Sequence, residues 1–221
     1  MTKRDPAFGY ALLLALFVAA YTIAPLQSYK VAELGGLVFP AGDLIYAFTF
    51  IATDIVNEIF GRKHAKRIVY CGLLALVCVM LFNQIAVLLP NASFWNGAAE
   101  YDVFFSSSLR ISLATLAAYI ISQFTDIYIF SLIRKKTSSK FLFIRNNLST
   151  FCARFLDVTT WTMIAFWGVY GTDEIWSIIS GAFIAGVIIS LIDTPIVYLG
   201  VYTFHKIYPQ IKRETQTREE S

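Results

Sequence analysis

Charged residues are scarce in this sequence, and their scarcity excludes an ordinary soluble domain. Asp, Glu, Lys and Arg make up 15% of the 221 residues, whereas 57% of the residues are hydrophobic. A soluble domain usually carries about 25% charged residues, and a single core cannot bury so much apolar surface. The composition therefore predicts an integral membrane protein. Its net charge of +3 is small, which argues against nucleic acid as a partner.

Cysteine and histidine are also rare, and their positions argue against a metal site. Cys71, Cys78 and Cys152 all lie in apolar runs, where cysteine is usually a small buried hydrophobe. The sequence has no CxxC or Cys/His pair, and His64 and His205 are far apart. We therefore expect no metal ion and no cofactor.

The motifs of the commonest enzyme classes are missing as well. The sequence has no GxxxxGKS/T phosphate loop, which excludes ATP hydrolysis by that route. It also lacks HExxH, GxSxG and GxGxxG motifs. A membrane enzyme that uses paired acids stays open as a minor alternative, but we expect that the protein is not an enzyme.

Long apolar runs are abundant. A membrane-spanning helix needs about 20 predominantly apolar residues, and the first run is too long for the apolar part of a signal peptide. The predicted fold class is an all-α integral membrane protein, a bundle of six transmembrane helices in one domain (residues 1–205) with a polar cytoplasmic tail (residues 206–221). The six runs cover residues 7–26, 40–60, 68–89, 109–133, 148–170 and 175–204.

The basic residues predict the orientation of these spans. They concentrate at the N-terminus, in the loops after the second and fourth runs, and in the tail, whereas the other three loops carry Lys30 alone beside several acids. By the positive-inside rule, both termini are cytoplasmic. We expect a multi-pass protein of the cytoplasmic (inner) membrane of a prokaryote, surrounded by the lipid bilayer.

A polar patch at the end of the second run is the main candidate for a functional site. Asp54, Asn57, Glu58 and Gly61 are spaced i, i+3, i+4 and i+7, so they share one face of a helix. A charged side chain inside a bilayer costs about 2.5–3.5 kcal/mol or more, and such residues usually face a cavity or a partner. The patch therefore predicts a binding site.

Further polar residues lie in the fourth, fifth and sixth runs. Those of the fifth run are three or four residues apart, which places them on one helix face that ends at Trp161. Any one of them could simply hold neighbouring helices together. Six acids across four spans favour a water-filled cavity with a polar ligand; they are Asp43, Asp54, Glu58, Asp126, Asp157 and Asp193. The candidate substrate-binding residues are Asp54, Asn57, Glu58, Arg110, Gln123, Asp126, Asn147, Thr150, Arg154, Asp157, Trp161 and Asp193.

The chemistry of these side chains limits the ligand. Carboxylates accept hydrogen bonds from paired N–H groups, whereas Asn and Gln both donate and accept. Aromatic rings stack on planar rings. The set suits a planar heterocycle with an amidine-like N–H edge, such as a guanine-type base, and it also suits a cationic amine.

Several short motifs follow one another in a characteristic order and spacing from the second run to the sixth. They are Thr53-Asp54, Asn57-Glu58, Phe60-Gly61, Lys66-Arg67, Arg110-Ile111, Ser122 to Asp126, Arg145 to Asn147, Ser149-Thr150, Asp157, Ala165-Phe166, Gly168 and Asp193 to Pro195. Their order and spacing resemble one known family, the queuosine-precursor transporters. That family is grouped with the vitamin uptake transporters, which are related to the substrate-binding components of energy-coupling-factor systems.

The resemblance implies a function and a substrate class. The family imports 7-deazaguanine precursors of queuosine, a modified tRNA base; the nitrile and aminomethyl forms are the usual cargo, and queuine is a further candidate. It implies that Asp54, Asn57, Glu58, Gln123, Asp126, Asn147 and Asp157 line the site.

Two positions depart from the family pattern. Arg154 stands where a Gln is usual, and Gly186 stands where a Lys is usual. We hypothesise that Arg154 takes over the role of the missing Lys as counter-ion to an acid.

The leading hypothesis is a secondary transporter that imports a queuosine precursor without ATPase activity of its own. The base stacks on an aromatic ring such as Trp161, carboxylates hold its N–H edge, and rocking of the helices exposes it to the cytoplasm. A buried carboxylate is a candidate carrier of a coupled proton.

The alternative is a substrate-capture subunit of a multi-component vitamin-type transporter with a different heterocyclic cargo. Ala11, Ala15 and Ala19 form a small-residue face that would suit an energising subunit, a homodimer or packing within the bundle.

Overall fold

The computed structural model describes residues 6–136 and 142–209 of the chain, without the side chains of residues 62, 123–124, 126–128, 130–136, 142–150 and 194. Six helices dominate this part of the protein, and the predicted all-α fold is confirmed. Most of the predicted tail, residues 210–221, lies outside the described residues. The helices are α1 (Pro6–Gln27), α2 (Gly42–Phe60), α3 (Arg62–Leu88), α4 (Ala98–Lys136), α5 (Leu142–Phe166) and α6 (Thr172–Ile207).

Four stretches in the described part of the chain are long and apolar enough to cross a membrane. They are Pro6–Gln27, Lys63–Leu88, Ala98–Ser122 and Thr172–Ile207. The two helices without such a stretch, α2 and α5, contain much of the predicted polar set, and polar side chains lower the hydropathy of a helix. Six spans and cytoplasmic termini therefore stay predictions.

A β-hairpin between α1 and α2 was not predicted. Strands β1 (Val31–Leu34) and β2 (Leu37–Pro40) pair antiparallel, with Leu34 opposite Leu37. The two residues between them, Gly35 and Gly36, have φ of 60° and 78°. A two-residue hairpin turn with both φ values positive matches the twist of the strands, and glycine adopts it at little cost.

The residues fall into two compact units. The first contains α1, α2, α3 as far as Phe82 and α6 from Gly186 onward. The second contains the hairpin and the chain from Asn83 to Ala185, which includes α4, α5 and the first part of α6. The prediction of a single domain stays a prediction.

The core of the first unit lies between α2 and α6. Ile51, Ile55 and Ile59 of α2 form one buried cluster with Phe204 in the last turn of α6 and Tyr208 directly after it. A Cβ atom added to Gly200 of α6 would touch the side chain of Ile55. Glycine at this position therefore lets α6 approach α2 closely, and this packing fixes which face of α2 is left for polar residues.

The core of the second unit joins the hairpin to α5 and α6. Phe39 of β2 packs in a buried cluster with Val158, Ile175 and Ile179. A Cβ atom at Gly181 of α6 would lie 2.8 Å from the backbone N and C of Val38 and still closer to its carbonyl oxygen. Because backbone atoms cannot rotate away, only glycine fits there.

Gly181→Ala is expected to destabilise the second unit. The added methyl group overlaps the Val38 backbone, and overpacking of this kind costs about 1–3 kcal/mol. The thermal unfolding midpoint of the detergent-solubilised chain measures the effect, with Ser180→Ala as a control at an exposed neighbour on the same helix. An unchanged midpoint in Gly181→Ala would show that the hairpin does not pack on α6 in this way.

Candidate functional site

The polar patch of α2 lies on one exposed face of the helix. Asp54, Asn57 and Glu58 are all exposed, while Ala52 and Val56 on the other face are completely buried. The i, i+3, i+4 spacing places the three polar side chains together. The patch is therefore open to a ligand, to lipid or to another part of the chain, while the apolar face holds the helix in its unit.

Gly61 ends α2 immediately after the patch. Its φ of 84° and ψ of 167° fall in a region that is essentially restricted to glycine. The Gly61 N–H donates to the Asn57 carbonyl at 3.0 Å, and the Gly61 carbonyl accepts from the N–H groups of His64 and Ala65 at 3.0 and 3.3 Å. The turn at Gly61 ends α2 and begins α3, so it determines where the polar patch ends.

Gly61→Ala is expected to destabilise the chain. Holding a residue with a Cβ atom in this backbone region costs about 1–3 kcal/mol, and relief of that strain would turn the last residues of α2 away from their present positions. The measurement is the thermal unfolding midpoint of the detergent-solubilised chain. A wild-type midpoint would mean that the turn at Gly61 tolerates a Cβ atom and does not position the patch.

Asp193 of α6 joins the patch from a second helix. Its side chain is only 9% exposed, and its carboxylate lies close enough to Asp54 to act on it electrostatically. Asp193 is four residues before Val197, which packs on the α2 cluster of the first unit, so the same helix face carries both. Asp54 and Asp193, distant in sequence, therefore form one polar group between α2 and α6.

The candidate residues of the second unit whose side chains are described belong to α4 and α5; they are Arg110, Arg154, Asp157 and Trp161. The partners run in opposite order along the two helices, as expected for an antiparallel pair. Arg110 of α4 donates from Nε to the Ile164 carbonyl at 2.6 Å and from one terminal nitrogen to the Trp167 carbonyl at 2.5 Å. These carbonyls lie at the C-terminal end of α5, where helical partners are missing. Arg110 thus fixes the end of α5 against α4.

Two further contacts follow along the seam between α4 and α5. The Trp161 indole Nε1 donates to Thr115 Oγ1 at 3.0 Å. Beyond it, Ser122 and Arg154 lie near the Asp157 carboxylate, on which the positive charge of Arg154 acts. The Ser122 hydroxyl donates to the Tyr119 carbonyl at 3.1 Å. The half-buried Asp157 and Trp161 are therefore held in place by neighbours on both helices. Sequence reasoning missed Thr115, because a threonine in an apolar run carries no signal of its own.

Four candidate residues cannot be placed at the level of side chains. Gln123 and Asp126 belong to α4, and Asn147 and Thr150 belong to α5, but their side chains lie outside the described part of the structure. Their role in the site stays a prediction.

A cavity of about 190 Å³ lies elsewhere in the second unit. The hairpin residues Val31 and Val38 line it together with Tyr170, Glu174, Ser177 and Ile178. None of the candidate binding residues contributes to it, and most of its walls are apolar. It is therefore not the site that the polar residues predict.

Comparison with known proteins decides the family. Residues 40–200 match the vitamin uptake transporter family, and this range contains all of the candidate binding residues. The chain belongs to the vitamin uptake transporter family. The resemblance found in its motifs is thus confirmed, and the protein is a multi-pass membrane transporter rather than an enzyme.

Three relatives carry more specific names. A "Probable queuosine precursor transporter" of Bacillus subtilis is 32% identical over 192 residues, which are 86% of this chain and 84% of that protein. A protein of the same name from Haemophilus influenzae is 30% identical over 42% of this chain and 39% of its own length. A "Queuosine precursor transporter" of Escherichia coli is 27% identical over 57% and 54%. No solved structure matches the chain.

Proposed function

We propose that this vitamin uptake transporter family member imports 7-cyano- or 7-aminomethyl-7-deazaguanine, precursors of queuosine, with queuine as a further candidate. The import serves queuosine salvage for tRNA across the inner membrane of a prokaryote, through six spans with both termini in the cytoplasm. The observation that carries the proposal is the polar seam of α4 and α5, in a chain 32% identical to a relative named a probable queuosine precursor transporter.

The seam offers the groups that a 7-deazaguanine requires. The base presents adjacent N–H donors on its pyrimidine edge, and a carboxylate such as Asp157 accepts both. Trp161 is half-buried, which leaves part of its ring surface for stacking, and aromatic stacking favours planar rings. The antiparallel order of the seam, continued along the sequence, brings Gln123 level with Arg154 and Asp126 level with Thr150. These residues extend the binding site that we propose.

The α2 patch has a separate place in this proposal. With cytoplasmic termini, Asp54, Asn57 and Glu58 lie near the cytoplasmic end of α2. We assign them, with Asp193, to the later part of the transport path, where the substrate leaves. Arg154 acts as counter-ion to Asp157, on which its charge already acts.

A genetic experiment tests this function. The test uses a bacterial strain that cannot synthesise queuosine and lacks its own uptake of queuosine precursors. The strain expresses this chain and is supplied with one precursor at a time. We expect queuosine to reappear in tRNA with at least one of the three precursors. Equal expression of the chain without queuosine under all three conditions would contradict the proposal, and the vector alone provides the background.

The alternative function, a substrate-capture subunit with a different cargo, is less well supported. The relatives' names specify queuosine precursors rather than another heterocycle. Ala11, Ala15 and Ala19 are exposed on α1, which leaves a homodimer or an energising subunit as candidate partners. Neither partner is tested by the structure, and both stay predictions.

A further inference from the structure

Thr115 occupies a buried position at which its hydroxyl group makes two hydrogen bonds. The residue is 8% exposed, and its Oγ1 donates to the Ile111 carbonyl of its own helix at 3.1 Å. A threonine hydroxyl has one hydrogen and two lone pairs. Once the hydrogen is used within α4, Oγ1 is an acceptor for the Trp161 indole N–H, 3.0 Å away.

Trp161 is constrained on other sides as well. Its ring meets Phe166 edge to face, with centroids 5.5 Å apart and planes at 85°. One turn beyond Trp161, Arg110 bonds the end of α5 and holds the two helices in register. An indole N–H away from water needs an acceptor, and Thr115 provides it. The ring therefore has a fixed direction before any ligand arrives.

We propose that Thr115 is a positioning residue for the substrate, acting by holding the Trp161 ring in the orientation that stacks on a planar base. The inference rests on the proposed function, because it needs a planar ligand at Trp161. Fixing a side chain in advance removes part of the ordering cost of binding, which corresponds to about a two- to tenfold gain in affinity. Thr115 thus contributes to affinity without touching the ligand.

The competing explanation is that this hydrogen bond only joins two helices. Interhelical hydrogen bonds in membrane proteins contribute about 0.6 kcal/mol on average, and their loss lowers stability whatever the ligand. The two explanations differ in one respect. A positioning residue affects substrate binding only while Trp161 is present, whereas structural weakening affects binding in any background.

A double-mutant cycle in the purified full-length chain separates them. The dissociation constants of 7-cyano- and 7-aminomethyl-7-deazaguanine are measured by calorimetry for wild type, Thr115→Val, Trp161→Phe and the double variant. Val keeps the shape of Thr but lacks the acceptor. We expect Thr115→Val to weaken binding about two- to tenfold, because the Trp161 ring must then be ordered when the ligand binds. In the Trp161→Phe background, the same change should have no effect on binding.

Two further variants complete the test. Thr115→Ser retains the hydroxyl group and should restore wild-type affinity. Ser108→Ala is the matched control. Ser108 is 1% exposed on the same helix, and its hydroxyl donates to the Phe104 carbonyl of its own helix at 2.8 Å. The affinity of Ser108→Ala should be that of wild type.

The outcomes distinguish this inference from the proposed function. If wild type binds a precursor but Thr115→Val binds it equally well, or loses the same factor with and without Trp161, Thr115 is not a positioning residue. If wild type binds none of the precursors, the proposed function is contradicted, and the inference falls with it. Thermal unfolding midpoints measured in parallel show whether each variant is folded.

Discussion

Asp157→Asn is expected to reduce uptake of a queuosine precursor by more than a hundredfold. A carboxylate that accepts two N–H groups of a base makes two charge-assisted hydrogen bonds, each contributing about 1.5–3 kcal/mol. Loss of about 3 kcal/mol corresponds to a factor of more than 100. Asparagine keeps the size of the side chain but offers one acceptor in place of two, and it leaves the charge of Arg154 without its counter-ion.

The measurement is initial uptake of radiolabelled precursor in cells, at matched expression. Asp173→Asn serves as the control, because it removes an exposed acid at the start of α6. Uptake by Asp157→Asn within a few-fold of wild type would show that Asp157 is not part of the binding site.

Arg154→Gln tests the counter-ion hypothesis separately, and we expect impaired uptake. Full folding and full uptake in Arg154→Gln would refute the counter-ion role.

Arg110→Gln is expected to lower the stability of the chain by about 3 kcal/mol or more. The guanidinium group donates to the carbonyls of Ile164 and Trp167, and each bond from a charged donor contributes about 1.5–3 kcal/mol. The glutamine side chain is shorter and has a single NH₂ group, so it cannot donate to both carbonyls as the guanidinium group does. Arg110→Lys keeps the charge and one donor group, so it should show a smaller loss.

Thermal unfolding of the purified chain measures this effect, and substrate affinity separates it from a binding role. We expect both Arg110 variants to unfold at lower temperature than wild type, in the order wild type, Lys, Gln. A wild-type midpoint combined with lost affinity would instead support the prediction that Arg110 contacts the substrate directly.

The helices were predictable where hydropathy alone determines them. Residues 7–26 are apolar along almost their whole length and anticipate α1 (Pro6–Gln27) closely. The predicted start of α3, residue 68, is too late, because the helix begins at Arg62 with six residues that are mostly basic. The start of α4 was placed too late, at residue 109 instead of Ala98, because residues 98–108 mix acids and serines with apolar residues. Such a segment is helical without being uniformly apolar, and hydropathy does not detect it.

The hairpin could have been predicted from a local signal. Gly35-Gly36 separates two short apolar stretches, a pattern typical of a two-residue turn. A search for apolar runs of about 20 residues does not detect strands of only four residues. A predicted bundle of membrane helices also does not suggest a β-hairpin. The close contact of Gly181 with Val38 depends on three-dimensional packing and has no sequence signal.

The polar faces were predictable, but their partners were not. The spacing of Asp54, Asn57 and Glu58 is enough to place them on one side of α2. Nothing in the spacing indicates that Asp193 is near enough to Asp54 to act on it electrostatically, or that Thr115 accepts the indole N–H of Trp161. Those contacts depend on which helices are neighbours and in which register, and one sequence does not contain that information.

The most direct test of the central claim is uptake by the purified chain alone. The protein is reconstituted into liposomes without any other subunit, and entry of radiolabelled 7-cyano- and 7-aminomethyl-7-deazaguanine is followed over time. We predict saturable uptake of at least one precursor, reduced by an excess of the same unlabelled compound and absent from empty liposomes. Uptake no greater than that of empty liposomes, by a protein shown to be folded, would contradict the account of this chain as a self-sufficient importer of queuosine precursors.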